Sequence, residues 1–459
     1  MNTNGHRVVV LGGGYTGMLA AIRLAHRTRR AGVRITLVNA SDRFTERLRL
    51  HQTAAGHRLA DHHIPDLLAG TGITFVQGTV TALDPDARAV VLDGGAARLD
   101  YDTLVYALGS ATDTGLVPGA DVHAFTLNGP RAAADLAARA REVAAAGGTI
   151  TVCGGGLTGV EAATELAEAH PGAHVTLISH AEPGAMMGTR ARAYLYRALD
   201  RLGVTVRTGV RVTKVLPGAV ELEGGEVVAS DACLWTTGVK VPALAADAGI
   251  AVDDRGLILV DETLRSVSHP SVHAIGDTAA IRMAWGQIHG TCQSGLPTAQ
   301  YTGDAIARLL RGRAVKPFRF GYYHQPVSLG RRDAVIQFTY ADDTPRRVYL
   351  KGRAAVLYKE FVSSSPLKFY RISKRFNISV TPSKGGRVTL PKRAARTRHD
   401  DAARTRHDDA ARTRRDDAAR TRRDDAARTR RDDAARTRRD DAARTRRDDA
   451  ARTRNGSPA

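Results

Sequence analysis

Apolar residues follow two alternating rhythms over the first 380 positions. Short runs of Val, Ile and Leu (Arg7–Leu11, Arg34–Val38, Thr149–Cys153, His174–Ile178) predict strands. Ala-rich stretches with helical spacing lie between them, over Thr16–Ala31 and Thr158–Ala169. Strand, helix and strand thus recur in the same order about 140 residues apart. That alternation is the pattern of helices layered on parallel sheets. The stretch from Phe318 to Val380 differs, with short strands at Ala334–Thr339 and Arg347–Leu350 among aromatic and basic residues. It reads as a third, α+β unit, and Pro382–Pro391 reads as a linker.

From Ala394 an octad, Ala-Ala-Arg-Thr-Arg-Arg/His-Asp-Asp, runs seven times, and a partial copy ends at Arg454. It holds no apolar residue larger than Ala, so it has no core to bury. Arg396, Asp400, Arg404, Asp408, Arg412 and Asp416 stand four apart and would pair along one helix, each pair giving about 0.2–0.5 kcal/mol. The tail is read as disordered or as an isolated solvated helix.

Of a formal net charge of +20, this tail carries 21 Arg and 14 Asp, or +7, which leaves +13 on the rest. So basic a body favours anionic partners such as nucleotides or acidic lipids. With 43% hydrophobic residues among 459, a large core can be buried. Three cysteines cannot form a disulfide framework, and no apolar run is long enough to cross a membrane. The first strand begins too close to Met1 to leave room for a signal peptide, so a cytoplasmic protein is expected. No RNA-reading aromatic motif or helix-turn-helix signature points to a specific nucleic acid.

The chemistry is concentrated in two glycine loops. Gly12-x-Gly14-x-x-Gly17 follows the first strand and opens the first helix, in Val8-Val-Val-Leu-Gly-Gly-Gly-Tyr-Thr-Gly17. The first Gly makes the tight turn, the second lets backbone approach a pyrophosphate, and the third packs helix on strand. The phosphates then meet the positive helix end. Gly154-x-Gly156-x-x-Gly159 repeats the pattern after the strand ending at Cys153. Two such loops imply two dinucleotides, FAD in one and NAD(P)H in the other. The fold expected is α/β: two Rossmann-like, doubly wound dinucleotide-binding domains, a smaller α+β C-terminal domain and a low-complexity tail. The boundaries expected are 1–117 with 250–316 for FAD, 118–249 for NAD(P)H, 317–381 for the third domain, and 382–459 for linker and tail.

Four further motifs make the chain similar to the two-dinucleotide-domain flavoproteins, the pyridine nucleotide oxidoreductases. They are Tyr101-Asp-Thr-Leu-Val-Tyr-Ala-Leu-Gly109, Ser230-Asp-Ala-Cys-Leu-Trp-Thr-Thr-Gly238, Val272-His-Ala-Ile-Gly276-Asp277, and the segment Gly154 to Leu166. Trp-Thr-Thr-Gly238 and the last segment resemble the type II NADH dehydrogenase branch. The resemblance implies an enzyme that passes hydride from NAD(P)H to flavin and electrons on to a quinone or other small acceptor. It implies Gly12, Gly14, Tyr15, Thr16, Gly17, Asn39, Val80, Gly109, Gly276 and Asp277 at FAD. At NAD(P)H it implies Gly154, Gly156, Thr158, Gly159, Glu161, Ser179 and Gly238. Glu161 falls near the nicotinamide and Gln52 on a segment along the flavin, both as candidate catalytic residues. The alternatives are a reductase of a small redox protein, similar to ferredoxin reductases, and a flavin-containing protein that binds a membrane or nucleic-acid surface.

Several residues depart from that pattern. Asn39 and Ser179 replace the acids expected at the two second-strand ends, and Ser179-His180 removes a charge that would repel a 2′-phosphate, opening the site to NADPH. Pro297-Thr-Ala299-Gln300 resembles the quinone motif, but Asp304 replaces its second Gln. Cys153, Cys233 and Cys292 are isolated in sequence, so buried packing is expected and no redox dithiol. Adjacent His62 and His63 point different ways on a helix and lack further ligands at metal spacing, so no metal site is expected. Lys359 to Arg375 mixes Phe361, Leu367, Phe369, Tyr370 and Ile372 with basic residues and is the candidate for peripheral contact with an anionic membrane on the inner face. Pro366 is expected to interrupt its helix.

Overall fold

The computed structural model describes residues 5–385. The octad repeat lies outside the described residues.

The two predicted strand–helix–strand units build two five-stranded parallel sheets of one plan. In the first, Val272–Ala274, Thr103–Tyr106, Arg7–Leu11, Arg34–Asn39 and Thr74–Gln77 lie side by side in that order. In the second, Ala124–Phe125, Ala232–Trp235, Thr149–Cys153, His174–Ser179 and Thr205–Thr208 do the same. Even the register matches: Leu11 stands beside Val38, and Cys153 beside Ile178. In each sheet the outer strand, Thr74–Gln77 or Thr205–Thr208, is followed along the chain by a three-stranded antiparallel meander, Val80–Asp84 to Ala97–Asp100 in one and Val212–Leu216 to Val227–Ala229 in the other, before the chain returns to the sheet. The strands need no alternation because both sheet faces are covered, in the second sheet by helices on one side and by Val215, Val220 and Leu222 of an antiparallel meander on the other. Val8, Val9, Val10 and Leu11 are all buried, and so are Ile150 to Cys153.

The helix Tyr15–Thr28 starts one residue before, and ends three before, the predicted run, and Leu157–Ala169 begins one residue early. Tyr15–Thr28 packs against the long helix Cys292–Leu309 in the first core. The third unit has three antiparallel strands, His324–Ser328, Ala334–Thr339 and Pro345–Lys351, followed by the helix Gly352–Ser373. It joins both cores. Val327, Leu329 and Val335 enter the second, while Tyr370 enters the first and donates to Tyr15 O at 2.9 Å.

Three local expectations are corrected. The last helix runs through Pro366. The proline removes the N–H that Val362 O would have accepted, and the Ser365 hydroxyl donates to that carbonyl instead, at 2.8 Å. Ser363 and Ser365 are accordingly buried. His62 and His63 lie on a short strand paired with Arg43–Phe44, not on a helix. The first residues of the expected linker are held down: Ser383 O accepts from Gly321 N and Gly385 O from Arg319 Nη2. Among the described residues, no helix is long and apolar enough to cross a membrane, and no group of three or more His, Cys, Asp or Glu is placed to hold a metal.

Candidate active site

The first glycine loop, Gly12 to Gly14, and the start of the helix after the second, Leu157 and Thr158, line one cavity of about 1590 Å³. Single-ligand pockets run to roughly 300–1,000 Å³, so the space suits more than one small molecule.

The two loops are built alike. Gly12 has φ +97° and Gly154 φ +121°, values that favour glycine. A Cβ on Gly17 would fall 1.8 Å from Gly12 O, and one on Gly159 would fall 1.8 Å from Gly154 O. Gly14 and Gly156 have nothing within 4 Å of their Cβ positions. Each is also the N-cap of its helix, and neither helix has a side-chain cap. The leading N–H groups of both helices are thus left for an outside acceptor, as a pyrophosphate requires.

The middle glycines are held by the residues that replace the expected acids. Gly13 N donates to Asn39 Oδ1 at 2.8 Å, and Gly155 N donates to Ser179 Oγ at 3.1 Å. Asn39 Nδ2 also donates to Ser41 O at 2.7 Å, so both ends of the amide serve the protein. Ser179 is buried. Beyond it, His180 Nε2 lies 3.0 Å from Arg211 Nη2, while Glu182 is drawn to Arg192 at 3.1 Å.

Of the residues expected at FAD, Gly12, Gly14, Tyr15, Thr16, Asn39, Val80, Gly109 and Asp277 line the cavity. Gly17 and Gly276 stand behind it in tight packing, Gly276 against Thr16. Asp277 Oδ2 accepts from Ser110 Oγ at 2.7 Å. The Tyr15 hydroxyl is buried with no hydrogen-bond partner, and burial raises its pKa far above the ordinary phenol. Of those expected at NAD(P)H, Thr158, Glu161 and Gly238 line the cavity, while Gly154, Gly156, Gly159 and Ser179 lie in or under the loop.

Gln52 is not brought to this cavity. It lines a smaller one of about 390 Å³, and its neighbour His51 takes the place at the large cavity. Sequence reasoning also missed Lys359, whose Nζ lies 2.7 Å from Glu161 Oε1. Ser328 N donates to the same oxygen at 3.0 Å. Burial alone would raise the Glu161 carboxyl, but Lys359, His51 and the Ser328 N–H together hold it below the usual carboxylate range. No local signal could have found Lys359, because it arrives from a helix nearly 200 residues away.

Residues 6–300 match the pyridine nucleotide-disulphide oxidoreductase family. The chain belongs to this family. It is 31% identical over 382 residues to an NADH dehydrogenase-like protein of Mycobacterium tuberculosis, covering 78% of this chain and 93% of that one. It is 29% identical over 373 residues to the demethylphylloquinone reductase of Synechocystis, covering 78% and 91%. The solved sulfide:quinone oxidoreductase of Aquifex aeolicus has the same fold, with a TM-score of 0.70 at 20% identity, covering 80% of this chain and 92% of that one. The enzyme is an FAD-dependent NAD(P)H oxidoreductase with two dinucleotide-binding sheets.

Within a family named for disulphide chemistry, the cysteines matter. Cys292 lines the cavity at the start of its helix, and burial pushes its thiol up to about 12. Cys153 and Cys233, isolated in sequence, are brought to 3.7 Å between sulfurs on neighbouring strands. Both are buried, neither lines the cavity, and their mutual contact and burial keep the Cys153 thiol protonated.

Proposed function

We propose that the enzyme passes electrons from NAD(P)H through FAD to a quinone. The observation that carries this reading is a single cavity lined both by the first glycine loop and by Leu157, Thr158 and Glu161 of the helix that follows the second. FAD, when bound, accepts a hydride from the nicotinamide and releases two electrons to the acceptor.

Residues 1–117 with 250–316 are assigned to FAD, 118–249 to NAD(P)H and 317–381 to the face that closes the cavity. Gly12, Gly14 and the N-terminus of Tyr15–Thr28 hold the FAD pyrophosphate. Thr16, Val80, Gly109 and Asp277 line the remainder of that site, and Asn39 and Gly17 shape the loop from behind. Gly154, Gly156, Gly159 and Thr158 form the matching cradle for NAD(P)H, and Gly238 borders it. Glu161, ionised and fixed by Lys359, orients the nicotinamide side and offers a carboxylate to the acceptor. The chain excludes water with the buried wall of Ser363, Ser365 and Pro366.

Quinone as acceptor is supported by the name of the Synechocystis relative and by apolar cavity-lining residues such as Leu296, Val362 and Phe369. A lipid-soluble acceptor suits a peripheral position on the inner face of the cell membrane. The helix Gly352–Ser373 supports that position: Leu357 is 74% exposed and Phe361 61% exposed, beside exposed Lys368 and Arg371.

The deciding experiment compares NADPH- and NADH-dependent reduction of menadione with reduction of a ferredoxin. Turnover with the quinone and none with the ferredoxin is expected. The reverse would make the enzyme a reductase of a small redox protein.

A further inference from the structure

One turn beyond Glu161 on the same helix stands Glu165, which is 1% exposed and lines neither cavity. Neither of its oxygens accepts a hydrogen bond. A carboxyl buried without hydrogen bonds, with only the charge of Arg331 Nη1 at 3.5 Å from Oε1, costs free energy that an apolar residue would not. Its surroundings form a chain of proton-carrying groups. Oε1 lies 3.9 Å from His51 Nε2, which is itself buried and unpartnered. Oε2 lies 3.7 Å from His57 Nε2. His57, with a side chain 46% exposed, borders the small cavity. His51 borders the large one, with Nδ1 3.9 Å from Glu161 Oε2.

We propose that Glu165 and His51 form a proton relay, loaded through His57 from the small cavity and delivering to the acceptor in the large one. The proposal rests on the quinone reading. The overall reaction is NAD(P)H + H⁺ + quinone → NAD(P)⁺ + quinol. The hydride carries two electrons and one proton, and water must supply the second proton. Glu165 gives its proton to His51 Nε2, and the ring releases one from Nδ1 on the cavity side. Glu165 then reloads through His57, and His51 returns to its first tautomer. Each gap exceeds hydrogen-bond reach of about 3.2 Å, so the relay requires the Glu165 side chain to move toward each ring in turn.

The charges around the path suit transfer. Burial pushes Glu165 up to about 7, opposed by Arg331 at 3.5 Å and assisted by Glu168 and Glu161. Burial lowers His51 to about 4, with Lys359, Arg331 and Arg49 acting in the same sense against Glu161, so His51 passes a proton on without trapping it.

The test uses full-length holoenzyme with menadione and ferricyanide as acceptors. Ferricyanide takes electrons without protons, so its reduction releases H⁺ from NAD(P)H and consumes none. In Glu165→Gln, the ratio of quinone to ferricyanide turnover should fall by about tenfold or more. The inflection near pH 7 in quinone turnover should vanish, and Glu165→Asp should restore part of both. The infrared difference between wild type and Glu165→Gln should contain a protonated carboxyl band that titrates near pH 7. Should Glu165→Gln lose FAD, His57→Ala at the surface end should lower the same ratio, with recovery in imidazole buffer. Quinone turnover with an unchanged ratio and pH profile in these variants would overturn the relay alone. Wild-type reduction of ferricyanide without any of quinone would overturn the quinone reading, and the relay with it.

Discussion

Asp304 grips Arg23 with both carboxylate oxygens, at 2.9 Å to Nε and 2.9 Å to Nη2. The same carboxylate lies 3.1 Å from Arg27 Nε, and Arg23 Nη1 donates to Ile378 O at 3.0 Å. The residue that departs from the quinone motif is thus a clamp between the helices Tyr15–Thr28 and Cys292–Leu309. It does not line the cavity. Asp304→Ala should cost roughly 3–5 kcal/mol by leaving the Arg23 charge buried and unpaired, with KM for quinone near the wild-type value. Thermal unfolding and steady-state kinetics check this. A large rise in KM without loss of stability would place Asp304 at the acceptor.

The Gly14 and Gly17 positions separate binding from folding. A Cβ at Gly14 meets no protein atom within 4 Å and, on the proposed assignment, valine there would take the pyrophosphate's place. Gly14→Val should give a folded, colourless protein. At Gly17 the new Cβ would lie 1.8 Å from Gly12 O, so Gly17→Val should reduce soluble yield and stability as well. Flavin absorbance per folded protein, with circular dichroism, distinguishes the two.

The His180–Arg211 pair bears on the choice of nucleotide. Ser179 stands in place of an acid and Glu182 is drawn to Arg192, an arrangement that suits a 2′-phosphate at the strand end. Arg211→Ala should weaken NADP⁺ binding about tenfold, the worth of one charge-assisted hydrogen bond, and leave NAD⁺ nearly unchanged. Equal effects on both nucleotides, by calorimetry or fluorescence quenching, would contradict this.

Much of this was legible in sequence for a physical reason. Glycine loops and doubly buried strands are fixed by local backbone geometry and by unbroken apolar runs. Contacts between distant segments were not legible. Lys359 reaches Glu161 only after the third unit folds back, and Asp304 finds Arg23 across 281 positions. The Cys153–Cys233 contact follows from the pairing of Thr151 with Cys233, a register that spacing does not reveal. Pro366 read as a helix breaker because the rule counts backbone donors, and Ser365 supplied a side-chain one. The segment around His51 and Gln52 was singled out from its place in the sequence, but which of the two faced the cavity depended on the phase of a five-residue helix.

Glu165 also makes stability depend on pH. Its carboxyl is raised in the folded protein from an ordinary 4.5 to about 7. The folded state therefore holds this proton more tightly, and the contribution is full below about pH 4.5 and lost as pH rises through about 7. Glu165→Gln removes that dependence. Relative to wild type the variant should be near neutral at pH 5 and more stable at pH 8, by up to about 3 kcal/mol for a shift of this size. Chemical denaturation at both pH values checks it, and a variant equally destabilised at each would show that the ion pair with Arg331 dominates.

The most direct measurement is the visible spectrum of the purified protein under anaerobic conditions, during addition of NAD(P)H and then menadione. The protein should be yellow, bleach with one equivalent of NAD(P)H per flavin, and regain its colour with one equivalent of quinone. A protein that stays colourless after incubation with FAD, or that bleaches and is not recoloured by quinone, would contradict the assignment.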